Sequence, residues 1–168
     1  MRIALFGPPL SGKTTIIKTV CPRTITMFEI PSNHPTYELP PHRGVSGAFT
    51  SAGSLYELVT MPGGVIGDGP WQHLLAEVRG VAVVLDPQAD EERLRDVLGQ
   101  ALRLIPAELV RCLVLTKTDL VPVDVVRQKR LVVEAIWERA RTGTPLMLTR
   151  ADKPKTHVAV IDVLIAST

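Results

Sequence analysis

An eight-residue segment near the start of the chain limits its possible folds more than any other feature. Positions 7–14 read Gly-Pro-Pro-Leu-Ser-Gly-Lys-Thr, after the apolar run 3–6 and before Thr-Ile-Ile at 15–17. Such a glycine-framed turn between a strand and a helix lets several backbone N–H groups converge on one anion. The lysine and threonine after the second glycine add a positive charge and a hydroxyl. The segment therefore predicts a strand, a phosphate-binding loop and a helix, with a nucleoside triphosphate as the ligand.

The residue types in this loop suggest individual roles. Lys13 should reach the β- and γ-phosphate oxygens and serve in catalysis, and Thr14 should bind magnesium through its hydroxyl. Pro9 and Leu10 occupy positions that often hold glycine. The residues expected to line the phosphates are Gly7, Pro9, Leu10, Ser11, Gly12, Lys13, Thr14 and Thr15.

Strand and helix signals alternate along most of the sequence, which indicates an α/β fold of the P-loop NTPase class, a mostly parallel sheet with helices on both faces. Residues 31–54 carry many prolines and glycines and are predicted to form hairpin connections and loop. The length of 168 residues predicts a single domain, 1–168. The predicted strands are 2–6, 24–30, 55–59, 81–85, 113–115 and 145–148, and the predicted helices are 13–20, 90–104 and 123–140.

Composition excludes several classes of function. The formal net charge is only +2 and the basic residues are scattered, so nucleic-acid binding is not expected. Cys21 and Cys112 are too few and too far apart for a zinc site or a disulfide framework. No apolar stretch is long enough for a membrane span, and neither terminus carries a signal peptide or lipidation motif. We therefore expect a cytoplasmic protein with no intrinsic membrane anchor.

A second motif, Thr116-Lys117-Thr118-Asp119, follows an apolar strand and indicates which base the nucleotide carries. A carboxylate at Asp119 can accept two hydrogen bonds from guanine N1–H and its amino group, whereas adenine offers no such pair. Lys117 would lay its alkyl stem along the base. The alternative interpretation of the motif is a helix N-cap before Leu-Val-Pro. Asp86, at the end of another strand, is interpreted as a turn or cap residue.

Together with Thr149-Arg150-Ala151, these segments resemble the first, fourth and fifth nucleotide motifs of Ras-like small GTPases. The bacterial gliding-motility subgroup, the MglA-like proteins, is the most similar. Two segments carry that finer resemblance. Arg23-Thr24 opens the second strand, and the run from Leu58 to Gly63 closes the third, with Thr60 where most Ras relatives have aspartate.

The resemblance implies GTP or GDP as ligand, with Mg²⁺, and assigns further roles. Thr24 would bind magnesium and sense the γ-phosphate, Arg23 would be a built-in arginine finger, and Gly63 would contact the γ-phosphate. Thr116, Lys117, Asp119, Arg150 and Ala151 would surround guanine, with the Ala151 N–H donating to O6. By analogy the apolar tail 156–166 would be a short buried helix. A roadblock-type dimer would be the GTPase-activating partner, in polarity or motility control.

Departures from the family pattern leave the activity open. Gly64 stands where the family has a water-orienting glutamine, so unassisted hydrolysis should be slow, with Gln72 or His73 as possible substitutes. Thr24 follows Lys13 by only eleven residues, so the loop that carries the magnesium-sensing threonine in this family, switch I, would be unusually short. Thr26 is an alternative candidate for that threonine. Three functions follow: a GTPase switch, a guanine-nucleotide-binding scaffold with little hydrolysis, and a P-loop small-molecule kinase.

Overall fold

A computed structural model describes residues 1–30, 42–60, 74–139 and 143–166 of the chain. Its strands are β1 (Arg2–Phe6), β2 (Thr26–Ile30), β3 (His42–Ser51), β4 (Ser54–Thr60), β5 (Gly80–Leu85), β6 (Val110–Leu115) and β7 (Leu146–Leu148). Its helices are α1 (Lys13–Val20), α2 (Glu91–Leu104), α3 (Val123–Glu138) and α4 (Lys155–Ala166), with a helical turn at 74–77 and a 3₁₀ turn at Ala107–Leu109.

The seven strands form one sheet in the order β2-β3-β4-β1-β5-β6-β7. Strands β4, β1, β5, β6 and β7 are parallel, and β3 runs antiparallel between β2 and β4. The predicted mostly parallel sheet is therefore confirmed. We call the edge at which the parallel strands end the carboxyl edge, and the edge at which they begin the amino edge.

Apolar residues on both faces of the sheet explain why helices cover both. Along β1, Ile3 and Leu5 pack against α1 and α4, whereas Ala4 and Phe6 belong to the cluster beneath α2 and α3. All four side chains are buried. Strand β5 is buried at every position, as expected for a parallel strand covered on both sides. The predicted tail helix is confirmed as α4, which buries Val160, among others, against the first face.

Strand β3 corrects the prediction that residues 31–54 are hairpin connections and loop. Its two glycines suggested turns, but they serve close packing between strand neighbours and α1. A β-carbon on Gly44 would lie 2.2 Å from the ring of Phe28, and one on Gly47 would lie 2.6 Å from the β-carbon of Cys21. At Gly47 this contact leaves no room for a side chain, whereas at Gly44 the Phe28 ring would have to move to admit one. Glycine inside a strand often marks such a close approach, and it weakens the residue pattern that would reveal the strand.

The other predicted elements appear with small shifts of their ends. Strand β2 begins at Thr26 rather than at residue 24, and β6 begins three residues earlier than predicted. Residues 24 and 25 do not pair as part of β2, because the Thr24 hydroxyl, rather than the Thr24 backbone, bonds the N–H and carbonyl oxygen of Ala48. This anchor determines where the residues before β2 lie.

Candidate nucleotide site

Three loops that carry the predicted nucleotide motifs lie together at the carboxyl edge. They follow β1, β6 and β7, which are parallel strands, and in such sheets ligands bind beyond the carboxyl ends of the strands. The loops comprise residues 7–12, 116–119 and 149–151. Although more than a hundred residues separate the first loop from the other two, the fold makes all three neighbours.

The phosphate-binding loop needs glycine at both of its fixed glycine positions. Gly7 has φ +155° and a β-carbon there would lie 2.2 Å from the carbonyl oxygen of Val84. Gly12 has φ +94° and lies against the side chain of Thr116, on the next motif. The first clash is with backbone, which cannot move aside. The loop is therefore folded into its tight turn by contacts with β5 and with the loop after β6.

Lys13 is held inside this loop without a carboxylate partner among the described residues. Its ammonium donates hydrogen bonds to the carbonyl oxygens of Gly7 (2.9 Å) and Pro8 (2.5 Å) and lies 3.3 Å from the Ser11 hydroxyl. Only 6% of Lys13 is exposed, and this burial lowers its pKa from 10.5 to about 8. A buried cation bonded only to neutral oxygens would gain from an anion, so the loop suits a phosphate.

The remaining loop residues differ in burial. Leu10 adopts a left-handed conformation with φ 61° and is 86% exposed, so its side chain gains nothing from the core to offset the backbone strain. Pro9 is also exposed, and Thr15 is exposed on the first turn of α1. Thr14 is half-buried at the start of that helix, next to the lysine. Its position fits the expected magnesium ligand.

Thr116 joins the phosphate loop to the base motif. Its hydroxyl donates to the carbonyl oxygen of Ser11 (2.7 Å) and lies 3.1 Å from that of Leu85. Both Thr116 and Ser11 are almost fully buried. The loops after β1 and β6 are thereby fixed relative to each other by a bond between residues 105 apart in sequence.

Asp119 and Ala151 lie next to each other, although they are 32 residues apart. The Ala151 N–H donates to the Asp119 carboxylate at 3.2 Å. The N–H and hydroxyl of Thr118 both bond the carbonyl oxygen of Thr149, at 3.2 and 3.0 Å. These bonds hold a half-buried carboxylate and a backbone donor side by side. Guanine offers the complementary combination, one acceptor next to two donors.

Arg150 forms an ion pair with a residue of its own loop. Its guanidinium forms a bidentate contact with Asp152, at 2.9 and 2.8 Å, which lowers the pKa of that carboxyl. Behind the loop, the Thr149 hydroxyl and His157 Nδ1 are buried without a hydrogen-bond partner among the described residues. Burial lowers the pKa of His157, and the nearby Asp119 carboxylate opposes this effect. Sequence patterns gave no signal for His157.

Lys117 makes an ion pair that the sequence did not reveal. Its ammonium lies 2.6 Å from Oδ2 of Asp86, with 26% and 17% of the two side chains exposed. The other carboxylate oxygen, Oδ1, accepts the N–H of Gln88 at 2.9 Å, which confirms the predicted turn role of Asp86. Asp86 therefore stabilises a turn, as expected, and also forms an ion pair with Lys117, which was not expected.

Arg23 and Thr24 are the two predicted site residues that the structure does not bring to the site. The Thr24 hydroxyl is bonded to Ala48, which is level with Glu57 and Arg2 at the amino edge. Helix α1 separates this point from the phosphate loop, and its eight residues span about 12 Å. In this structure Thr24 cannot share a magnesium ion with Thr14, and Arg23 is an exposed residue just beyond the end of α1 that lies away from the phosphate loop. The fallback, Thr26, belongs to edge strand β2.

Four residues with expected roles lie outside the described part of the chain: Gly63, Gly64, Gln72 and His73. Within the described ranges, no group of three or more His, Cys, Asp or Glu side chains is placed to hold a metal ion. In those ranges, too, no helix has the length and apolar character needed to cross a bilayer.

Solved structures share this architecture. Over 99% of its length the chain matches 98% of the G domain of the T. maritima FeoB iron transporter, with TM-score 0.68 and 19% identity. Over its whole length it matches 29% of a bacterial selenocysteine-specific elongation factor, EF-Sec, with TM-score 0.69 and 19% identity. It also matches 63% of a mutant of S. thermophilus NFeoB bound to GDP, with TM-score 0.63 and 20% identity.

At these identities the likeness establishes the fold, a P-loop NTPase of the small G-protein type. The chain spans less than two thirds of EF-Sec and of the NFeoB mutant. No protein-family model matches the sequence, and no curated protein does.

Proposed function

We propose that this chain binds GTP and GDP and acts as a nucleotide-dependent switch that hydrolyses GTP slowly. The observation that carries the proposal is the pairing of the Asp119 carboxylate with the Ala151 N–H, at 3.2 Å, beside a phosphate loop that holds a buried Lys13. Guanine would replace that contact, because its O6 accepts from the N–H while N1–H and the amino group donate to the carboxylate. Adenine has an amino group where O6 would lie and leaves the carboxylate unpaired.

Exchange of the base tests this assignment. A hydrogen bond to a charged group contributes about 1.5–3 kcal/mol, so loss of the Asp119 charge should weaken GTP binding at least about tenfold. In Asp119→Asn the amide can donate to the extra oxygen of xanthine, so XTP should bind better than GTP. Asp152→Asn is the matched control, since it makes the same change at an exposed carboxylate that bonds Arg150. Equal binding of GTP and ATP by the wild-type chain would refute the proposal.

Magnesium would be held by the Thr14 hydroxyl together with phosphate oxygens and water, because a small hard cation takes oxygen ligands. When bound, it would neutralise charge on the transferring phosphoryl group. Lys13 would hold the β- and γ-oxygens in this arrangement. Thr24 is not part of this proposal, since its hydroxyl is bonded to the Ala48 backbone at the amino edge.

Slow hydrolysis is supported by the positions of the two residues expected to assist catalysis. Arg23 lies at the far end of α1, and Gly64, outside the described residues, has no side chain to orient water. The same observation favours a second function, a guanine-nucleotide-binding scaffold that scarcely hydrolyses. Single-turnover hydrolysis of bound GTP separates them, because a switch releases phosphate when a partner is added and a scaffold does not.

The proposed cellular role rests on the sequence resemblance to MglA-like proteins. Since Arg23 and Thr24 lie away from the phosphate loop, this resemblance now depends on the run from Leu58 to Gly63. On this basis we propose a cytoplasmic protein in polarity or motility control, with a roadblock-type dimer as its GTPase-activating partner. A pull-down with protein loaded separately with GDP and a non-hydrolysable GTP analogue tests it. A partner retained by only the triphosphate form supports a switch, and identical recovery from both forms contradicts one.

A further inference from the structure

We propose that Asp86 is a positioning residue that keeps Lys117 away from Asp119, so that the Asp119 carboxylate stays available to a guanine base. The proposal rests on the guanine specificity proposed above and adds a residue that lies in none of the nucleotide motifs. It starts from the 2.6 Å contact between Lys117 Nζ and Asp86 Oδ2.

The loop after β6 sends its side chains in two directions. Lys117 reaches back to Asp86, at the end of β5, whereas Thr118 and Asp119 bond the loop after β7. The backbone of Lys117 is left-handed, with φ 52°, which a non-glycine residue adopts at a cost of about 1–2 kcal/mol. Thr116, bonded on the other side to Ser11, holds the preceding residue in place. This strained turn is what separates the lysine from the aspartate two positions later.

The separation of Lys117 from Asp119 matters because the two side chains carry opposite charges. A lysine ammonium without Asp86 would have Asp119, two residues away, as its nearest carboxylate within the same loop. Pairing with Asp119 would occupy the acceptor that guanine needs and would neutralise the charge that discriminates guanine from adenine. Asp86 supplies a competing carboxylate that is partly buried, at 17% exposed, and that is held in orientation by the Gln88 N–H. The pair therefore leaves Lys117 presenting an alkyl stem to the site.

The substitution Asp86→Asn removes the charge and retains the oxygen that accepts from Gln88, so it leaves the turn intact. We expect it to weaken GTP binding about tenfold and to reduce the preference for GTP over ATP. In the Lys117→Met background the same substitution should change GTP affinity less than about twofold, because no ammonium remains to pair with Asp119. Asp86→Glu, which keeps a carboxylate, should lie between wild type and Asp86→Asn.

Titration calorimetry on the four combinations of positions 86 and 117 measures this coupling, with thermal melting to verify folding. Glu134→Gln is the control, since it breaks an ion pair with Arg130 on α3, outside the nucleotide loops. Equal losses from Asp86→Asn in both backgrounds, or no loss in the wild-type background, would overturn the positioning role while leaving guanine binding in place. A wild-type chain without guanine preference would instead overturn the proposed function, and this inference with it.

Discussion

Raising the pH from 7 to 8.5 should weaken GTP binding about fourfold, because it removes the proton from Lys13. The pKa of this lysine in the ligand-free fold is about 8, lowered by burial from 10.5. About nine tenths of the ammonium is protonated at pH 7 and about a quarter at pH 8.5. Phosphate oxygens in contact with Nζ favour the protonated form, so binding above pH 8 must take up a proton, and affinity falls accordingly.

The stability of the ligand-free fold should change in the opposite direction. An unfolded lysine keeps its proton up to about 10.5, whereas the folded one loses it near 8, so the unfolded chain binds more protons between these values. Stability without nucleotide therefore rises between pH 8 and 9, while nucleotide affinity falls. Above pH 9 the buried thiols of Cys21 and Cys112 oppose this rise, because burial raises their pKa to about 11 and about 12. A fall in affinity together with a rise in stability between pH 8 and 9 is the result expected for a buried lysine that holds the nucleotide.

Fluorescence titration with a labelled GTP at pH 7, 7.5, 8 and 8.5 measures the affinity, and chemical denaturation of the ligand-free chain measures the stability. Lys13→Arg is the control, because a guanidinium stays charged throughout this range. Its affinity is expected to be pH-independent, whatever its absolute value. A flat wild-type profile, or a fourfold fall in Lys13→Arg as well, would refute the assignment of the titration to Lys13.

Two substitutions test the geometry around α1. Arg23→Ala should leave both GTP affinity and the single-turnover hydrolysis rate unchanged within about twofold, because Arg23 lies at the end of α1 away from the phosphate loop. A tenfold fall in the hydrolysis rate would instead support the assignment of Arg23 as an arginine finger. Gly47→Ala should destabilise the fold by about 1–3 kcal/mol in urea denaturation, since its new methyl would lie 2.6 Å from the β-carbon of Cys21. Gly99→Ala, inside α2 with only the Arg103 side chain at 3.5 Å, should instead stabilise by about 0.5–1 kcal/mol. A stabilised Gly47→Ala would contradict the close packing of β3 on α1.

Local patterns in the sequence determined the parts of this protein that depend on neighbouring residues. The turn between β1 and α1 follows from two glycines, a lysine and a threonine at fixed spacing, because backbone conformation there is set within a few residues. The apolar run 81–85 predicted a strand covered on both faces, and β5 is buried throughout. Alternation of such segments was sufficient to predict the parallel sheet and its helices.

Only the tertiary structure decided which distant residues meet. The glycines of β3 indicated loop until Phe28 and α1 were seen packed against them. Thr24 appeared to be a ligand residue because of its sequence position, yet its hydroxyl bonds Ala48, 24 residues later, and this places it at the wrong edge of the sheet. Asp86 and Lys117, 31 residues apart, form an ion pair that no spacing rule predicts. Strand order and register set these contacts, and both are properties of the packed chain as a whole.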